Sequence, residues 1–230
     1  MSVAASVILA SAASLGCLVF VILYVRTRSE EGDRFALLWQ SLAAVCCPLA
    51  GLALLPQGRN SAGVLILLGL VLAMSAQLLR TLSTEKARGS SRMFLASAIF
   101  SLLGNILQVN AMMSMCQPEW EGVLSMFVVG LVATLYYKKK QGIQPGKLLL
   151  PAFIHMFAVL FMACTAVALV VRNPDPGLIF MALGGVGMLV GCNAGLAHRF
   201  GKKPGKHLIL VARLGFYLAQ LIIGWSILLL

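Results

Sequence analysis

Eight long runs of apolar residues, separated by short charged or turn-forming connections, constrain this chain of 230 residues more than any other feature of its sequence. Runs of about 20 apolar residues are long enough to cross the hydrocarbon core of a bilayer as helices. Only 11% of the residues are charged, whereas soluble domains carry about 25%. The predicted spans run approximately over residues 3–24, 35–55, 63–79, 93–115, 122–137, 148–171, 177–197 and 207–230.

The apolar runs are too continuous for spanning strands, in which polar and apolar positions alternate. The sequence therefore predicts an all-α, polytopic integral membrane protein with eight transmembrane helices, in a single membrane domain over residues 1–230. The first run is predicted to be a span and not a signal peptide, because no basic region precedes it and it is longer than a usual signal-peptide core.

The basic residues indicate how the chain is oriented in the membrane. A net charge of +11 would favour a nucleic-acid partner in a soluble protein, but all lysines and arginines except Arg59, Arg172 and Arg213 fall in the first, third, fifth and seventh loops. The positive-inside rule places these odd-numbered loops in the cytoplasm and both termini outside. Membrane lipids are therefore the expected partners, and no nucleic acid is expected. The sequence carries no signature of an oligomeric state.

The cysteines and glycines suggest no bound metal or cofactor. Five of the six cysteines lie inside apolar spans, where a free cysteine behaves as a small hydrophobic residue. No cysteine or histidine cluster has the spacing of metal ligands, and no glycine-rich phosphate-binding pattern is present. The sequence accordingly predicts neither a metal site nor a cofactor.

All seven acidic residues lie in loops or at the edges of spans. Transporters driven by protons usually keep an ionisable residue at depth in the membrane. The distribution of acids therefore weighs against a proton- or sodium-coupled carrier. It weighs equally against general-acid catalysis by a membrane-embedded carboxyl group.

The polar residues that remain inside the spans are candidate functional residues, because polar groups are costly in the bilayer. Arg213, Tyr217 and Gln220 are spaced along one face of the last helix, and Asn105 and Gln108 share a face of the fourth. Counting ~1.5 Å per residue from the basic loops places most of them between the midplane and the cytoplasmic side, which suggests a polar cavity open to that side. The predicted substrate-binding residues are Gln77, Asn105, Gln108, His155, Asn193, Arg213, Tyr217 and Gln220.

Each of these residues also has a structural interpretation. Asparagine and glutamine side chains often join helices by hydrogen bonds. Arg213 could extend toward the headgroups along its apolar stem, and His155 could be a buried histidine with satisfied hydrogen bonds. The sequence leaves both interpretations open.

Four spans carry short motifs that resemble the YhhN-like lysoplasmalogenase family, whose members are eight-span hydrolases that cleave the vinyl-ether bond of lysoplasmalogens. Residues 216–222 (FYLAQLI) are similar to the family's Tyr-Tyr-x-Ala-Gln-x-Leu/Ile. Residues 185–197 resemble its Gly-Ala-x-x-Phe-x-x-Ser-Asp-x-x-Leu-Ala. Residues 104–108 (GNILQ) lie where the family has Gly-His-x-x-Tyr, and residues 75–79 (SAQLL) where it has Gly-Asp-x-x-Leu.

The motifs depart from the family at its reactive positions. The two embedded aspartates of the family correspond here to Ala76 and Asn193, its histidine to Asn105 and its tyrosine to Gln108. Vinyl-ether hydrolysis needs a proton delivered to carbon, which a carboxylic acid in a low-dielectric site can supply and an amide cannot. Since general acid–base assistance contributes about 10²–10⁴-fold, the loss should be severe. The catalytic residues are therefore unknown.

Three functions follow from these observations. The first is a divergent lysoplasmalogenase-like hydrolase that acts on lysoplasmalogen-type lysolipids, in which His155 or Cys192 would replace the acids. The second is a catalytically inactive family member that binds a lysophospholipid or lysoplasmalogen. Arg213 would meet the lipid phosphate in either case. The third is a small-solute membrane carrier, which the missing buried acid disfavours.

Overall fold

Eight helices long and apolar enough to cross a membrane make up most of the computed structural model, which describes residues 2–28, 35–57, 61–85, 91–144, 146–201 and 206–229. The prediction of an all-α, eight-helix membrane protein is confirmed. Short 3₁₀ turns precede the sixth helix and follow the eighth. The helices are α1 (Val3–Arg28), α2 (Phe35–Leu54), α3 (Ser61–Glu85), α4 (Ser91–Met115), α5 (Trp120–Gln141), α6 (Leu149–Arg172), α7 (Pro176–Phe200) and α8 (Lys206–Trp225).

Four helices, α1, α3, α5 and α7, extend three or more residues beyond the C-terminal ends of their predicted spans. Helix α3 continues for six residues past position 79, and α7 for three residues past position 197. The predicted spans stopped at the first cation, but the long apolar stem of an arginine allows a helix to continue with its charge directed away from the lipid. Arg80 and Arg199 therefore lie within helices and not in loops.

Helix α8 lies at the centre of the bundle, where it contacts α1, α2, α3 and α7. The most extensive helix pairs are α3 with α4, α1 with α2, and α7 with α8. Helix α5 lies at the periphery, against α6. The last helix therefore brings residues of distant spans together.

Glycines allow the closest of these helix contacts. A Cβ atom at Gly104 would lie 3.0 Å from the carbonyl oxygen of Gly69, and one at Gly191 would lie 2.9 Å from the backbone nitrogen of Phe216. Small residues at helix contacts permit the close backbone approach on which membrane bundles depend. These glycines bring α3 against α4 and α7 against α8.

Large apolar side chains cover the outside of the bundle. On α5, Leu124, Val128, Val129 and Val132 are between 58% and 70% exposed. Such a surface is stable only when it is covered by lipid. The outer faces of the helices are therefore the lipid-contacting surface.

One end of the bundle carries the first, third, fifth and seventh connections, and it is called the basic end below. There α3 ends at Glu85 and α7 at Phe200, while α4 begins at Ser91 and α8 at Lys206.

Some residues used to predict spans and topology lie outside the described residues: Glu30, Glu31, Asp33, Arg34, Arg59, Lys86, Arg88, Lys202, Lys203 and Leu230.

Candidate functional site

A cavity of about 270 Å³ opens between α3, α4, α6, α7 and α8, near the basic end of the bundle. Its inner wall is buried, whereas the residues from the last turn of α7 and the first turns of α8 are half-buried. We call it the arginine cavity. It is lined by Gln77, Arg80, Phe94, His155, Gly191, Cys192, Gly195, Leu196, His198, Arg199, Phe200, Ile209, Ala212, Arg213 and Phe216.

The lining of the arginine cavity is strongly cationic. It contains three guanidinium groups, from Arg80, Arg199 and Arg213, and the imidazoles of His155 and His198. No carboxylate is among the described residues that line it. Positive charges in a site of low dielectric attract an anion far more strongly than the same charges do in water.

Arg213 is turned into the bundle and is only 8% exposed. Its guanidinium lies 5.2 Å from the centre of the Tyr24 ring, and its Nη1 donates to the Thr81 hydroxyl at 3.2 Å. The tyrosine face attracts the cation, and the hydroxyl holds one of its donors in place. These contacts orient the guanidinium at the cavity wall instead of letting it extend toward the headgroups at the lipid face.

Arg199 is positioned by two aromatic rings at the mouth of the arginine cavity. Its guanidinium carbon lies 4.6 Å from the Phe94 centroid and 5.3 Å from that of Phe200. The two rings meet edge to face, with their centroids 6.4 Å apart. A guanidinium stacked on rings keeps its planar edge available for hydrogen bonding.

A chain of polar side chains from three helices forms part of the inner wall. The Ser101 hydroxyl on α4 lies 2.8 Å from Nδ1 of His155 on α6, and Nε2 of His155 lies 3.2 Å from the Cys192 thiol on α7. The Arg80 guanidinium lines the same cavity as this thiol. Both imidazole nitrogens therefore have partners, and the histidine tautomer determines which atoms donate.

The family-like motif of the last helix lies outside the arginine cavity, which neither Tyr217 nor Gln220 lines. Nε2 of Gln108 donates to Oε1 of Gln220 at 3.1 Å, and Nε2 of Gln220 contacts the Met188 sulfur. The Tyr217 hydroxyl donates to the main-chain carbonyl oxygen of Gln40 at 3.5 Å. We call these five residues the amide network. Its members are buried, and they join α2, α4, α7 and α8 by hydrogen bonds.

The remaining predicted residues lie in other surroundings. Asn193 points into a narrow groove between α6 and α7 that also contains Lys138, and its Nδ2 donates to the carbonyl of Leu189 on its own helix. Asn105 lines a third groove, between α4 and α6. Ala76 is buried in α3 and lines none of these three spaces.

The predicted site residues therefore fall into groups. Gln77, His155 and Arg213 line the arginine cavity. Gln108, Tyr217 and Gln220 belong to the amide network, while Asn105 and Asn193 line separate grooves. The role of all eight in substrate binding stays a prediction.

Sequence reasoning missed Arg80 and Arg199 as site residues, because both were assigned to loops. One signal could have found them. Arg80 follows Gln77 by three residues, and Arg199 follows Cys192 by seven, so each shares a helix face with a polar residue inside the span.

The described residues offer no group of three histidine, cysteine or carboxylate side chains that could hold a metal ion. His155 and Cys192 form a pair of possible ligands, and the polar side chain bonded to this pair, Ser101, supplies no comparable third ligand.

Comparison with known proteins agrees with the resemblance in the motifs. The model of the YhhN family matches residues 35–227, a stretch that contains α2 through α8 and every residue of the arginine cavity. Neither the curated proteins nor the solved structures include a match. The chain belongs to the YhhN family.

Proposed function

We propose that this protein binds a lysophospholipid-type amphiphile and holds its phosphate in the arginine cavity. The observation that carries the proposal is the convergence of Arg80, Arg199 and Arg213 on one cavity of about 270 Å³ within a membrane bundle. Guanidinium groups bind phosphate through paired hydrogen bonds of matching geometry. Three of them in one wall favour an anion that carries several acceptor oxygens.

The location of the cavity supports a lipid ligand. It lies near the basic end, at the level where α3 and α7 leave the membrane and α4 and α8 enter it. Lipid phosphates lie at this level of a bilayer, and basic pockets between transmembrane helices bind lipid headgroups there. A lysolipid could therefore reach the arginines without crossing the hydrocarbon core with its charge.

The size and walls of the cavity support an amphiphile with one chain. Its volume is just below the roughly 300–1,000 Å³ of pockets for drug-sized ligands, so it accommodates a headgroup and not a whole lipid. Phe94, Phe200, Phe216 and Ile209 supply apolar walls. Leu196 lines both this cavity and the neighbouring groove of Asn193, which offers the acyl chain a route toward the lipid.

A matched pair of lipids tests the proposal. Purified protein in mixed micelles should bind 1-oleoyl lysophosphatidic acid at least about tenfold more tightly than 1-monooleoylglycerol, which lacks the phosphate, since a hydrogen bond to a charged group contributes about 1.5–3 kcal/mol. Arg213→Gln should remove this preference. Arg172→Gln, at an exposed arginine paired with Glu119, should preserve it.

Equal affinity for the two lipids in the wild-type protein would overturn the proposal. Inorganic phosphate serves as the competitor for the carrier alternative. If phosphate alone displaces lysophosphatidic acid at equal concentration, the cavity recognises a small solute and not a lipid.

Hydrolysis of a lysoplasmalogen-type lipid is the second candidate, since the family includes lysoplasmalogenases. The observation that favours it is His155, an imidazole on the wall of the arginine cavity that is hydrogen-bonded on both sides. It would deliver the proton that an aspartate delivers in the family. Incubation with a lysoplasmalogen should then release a fatty aldehyde, and His155→Gln should abolish the release.

We further propose that the basic end faces the cytoplasm and that both termini lie outside, in accord with the positive-inside rule. A reporter fused at the N-terminus tests this orientation. A reporter found on the cytoplasmic side of the membrane would contradict this orientation.

A further inference from the structure

The hydrogen-bonded chain of Ser101, His155 and Cys192 has the geometry of an activated nucleophile. We propose that Cys192 attacks an acyl ester of the amphiphile held in the arginine cavity, which would make the protein an acyl-ester hydrolase with a thioester intermediate. This inference rests on the proposed binding of a lysophospholipid. It concerns the acyl ester, a different bond from the vinyl ether.

The three side chains meet the geometric criteria for such a site. A nucleophile within hydrogen-bonding reach of a base, with the base held by a third group, is the recurring arrangement of covalent catalysis. Here the thiol lies 3.2 Å from Nε2 of His155, and Nδ1 lies 2.8 Å from the Ser101 hydroxyl. In the productive tautomer Nδ1–H donates to Ser101, and the thiol donates to Nε2.

The position of the pair distinguishes it from an ordinary buried hydrogen bond. His155 and Cys192 are 2% and 5% exposed, and both line the arginine cavity. They come from different helices, α6 and α7, while the serine comes from α4. Polar groups inside a membrane bundle are costly and mark functional sites.

The other cysteines lack this setting. The Cys17 thiol donates to the Ala43 carbonyl at 3.3 Å, and Cys164 lines an apolar groove between α5, α6 and α7. Neither Cys17 nor Cys164 lines the arginine cavity. Cys164 therefore serves as a matched control for Cys192.

The first half of the reaction transfers the acyl group to sulfur. The Cys192 thiol gives its proton to Nε2 of His155 as sulfur attacks the ester carbonyl carbon. The oxyanion that forms would be stabilised by the guanidinium of Arg80, which lines the same cavity as the thiol; such electrostatic stabilisation is a large term in acyl transfer. The C–O bond then breaks, and the imidazolium returns the proton to the departing glycerol oxygen.

The second half releases the fatty acid. A water molecule gives a proton to Nε2 and attacks the thioester carbonyl. The C–S bond breaks, sulfur recovers the proton from the imidazolium, and a free fatty acid leaves. The net reaction consumes one ester and one water and yields one acid and one alcohol, so no oxidant or further reactant is required.

The separation between the ester and the phosphate of the ligand agrees with this assignment. In a 1-acyl lysophosphatidic acid, the three carbons of glycerol separate the ester from the phosphate. With the phosphate at Arg199 and Arg213, the ester would approach Arg80 and Cys192, which line the same cavity. Arg199 and Arg213 would act in binding, Arg80 in stabilising the oxyanion, and the cysteine and histidine in proton transfer and attack.

The experiment uses purified full-length protein and 1-oleoyl lysophosphatidic acid. We expect release of oleic acid, and an oleoyl adduct on the peptide that contains Cys192, detected by mass spectrometry after acid quenching. Cys192→Ala should abolish both signals, and His155→Gln should lower the release about 10²–10⁴-fold, as expected for loss of a general base. Cys164→Ala should leave the rate unchanged.

The 1-O-alkyl ether analogue of lysophosphatidic acid separates binding from cleavage. Cys192→Ala should bind this analogue as the wild type does, which also shows that the variant is folded. If Cys192→Ala fails to bind it, Cys192→Ser replaces it as the test and should likewise lose the sulfur-linked adduct.

Two results would overturn the inference. They are a wild-type protein that binds the ether analogue but releases no oleic acid from the ester, and release that persists at the wild-type rate in Cys192→Ala. Both leave the proposed lysolipid binding intact. Absence of phosphate-dependent binding in the wild type would overturn the proposed function itself.

Discussion

The arginine cavity and the amide network are two buried polar regions of the same bundle, and they differ in what surrounds their polar groups. The arginine cavity is hollow, cationic and close to the basic end. The amide network, around Gln108 and Gln220, is uncharged and lines none of the spaces described above, although Thr81 accepts from both its Gln40 and Arg213 of the cavity. Both use residues of α7 and α8.

This difference separates the residues that resemble the family motif from those that can bind a ligand. Tyr217 and Gln220 carry the most recognisable motif, yet their side chains bond to other helices. Arg80 and Arg199 belong to no motif, yet they line the cavity. In this chain the motif of the last helix supports the architecture, and the binding capacity lies nearer to the charged loops.

The largest expected effect comes from removing two charges of the arginine cavity. The double variant Arg199→Gln and Arg213→Gln should lower the affinity for 1-oleoyl lysophosphatidic acid by about a hundredfold or more, since each hydrogen bond to a charged group contributes about 1.5–3 kcal/mol. Isothermal titration in mixed micelles measures the loss. The matched lysine double variant keeps the charges but loses the planar guanidinium fork. Its affinity should lie between those of the wild type and the glutamine variant. Equal affinity of the glutamine variant and the wild type would contradict the assignment.

The next largest effect is expected from a methyl group added where α7 packs against α8. Both regions depend on this helix contact. In Gly184→Ala the new Cβ would lie 2.8 Å from the Ala219 carbonyl oxygen and would also clash with Ile223. Overpacking of this kind costs about 1–3 kcal/mol, so the melting temperature should fall.

Gly195→Ala is the control on the same helix, because its Cβ would meet Ala212 at an ordinary 3.7 Å. Thermal unfolding followed by circular dichroism compares the two variants. Similar melting temperatures would show that the helices are less tightly packed near Gly184 than the structure indicates.

A smaller effect is expected from the amide network. Gln220→Leu removes the acceptor of Gln108, which should lower the free energy of unfolding by about 0.6–2 kcal/mol, the usual worth of a hydrogen bond between membrane helices. Replacing both glutamines by leucine should recover part of this loss, because no buried polar group is then left unpaired. Reversible unfolding in mixed micelles measures the free energies of unfolding of the wild type, the single variant and the double variant.

Lysophosphatidic acid binding separates the structural role of the network from the predicted binding role. The affinity should be unchanged in folded Gln220→Leu protein. A tenfold loss of affinity at unaltered stability would place the amide network in the binding site.

The smallest expected effect concerns the positions of the family acids. Asn193 faces a separate groove and Ala76 lines none of the three spaces considered above. The double variant Ala76→Asp and Asn193→Asp should therefore release no more fatty aldehyde from a lysoplasmalogen than the wild type. Aldehyde release well above that of the wild type would show that the two positions still form an active site.

The architecture was predictable because it follows from the lengths of apolar runs. Eight runs of the required length predict eight helices, and the structure contains them within the described residues. The same rule failed at the C-terminal ends of α1, α3, α5 and α7, where charge was taken to end the span. The ends mattered, because Arg80 and Arg199 lie in those extra turns.

The site was less predictable because a helical period places residues on faces but does not reveal which faces meet. Arg213, Tyr217 and Gln220 share a face of α8, and the structure separates them by depth: Arg213 lines the arginine cavity, and the other two belong to the amide network. The pairing of His155 with Cys192 depends on the packing of α6 against α7, which no pattern within either helix reveals.

The most direct test of phosphate binding is an experimental structure of the protein in lipid nanodiscs with 1-oleoyl lysophosphatidic acid. The account predicts phosphate density within hydrogen-bonding distance of the Arg199 and Arg213 guanidinium groups. Lipid density confined to the Asn193 groove or to the outer faces of the bundle, with no phosphate at the arginines, would contradict it.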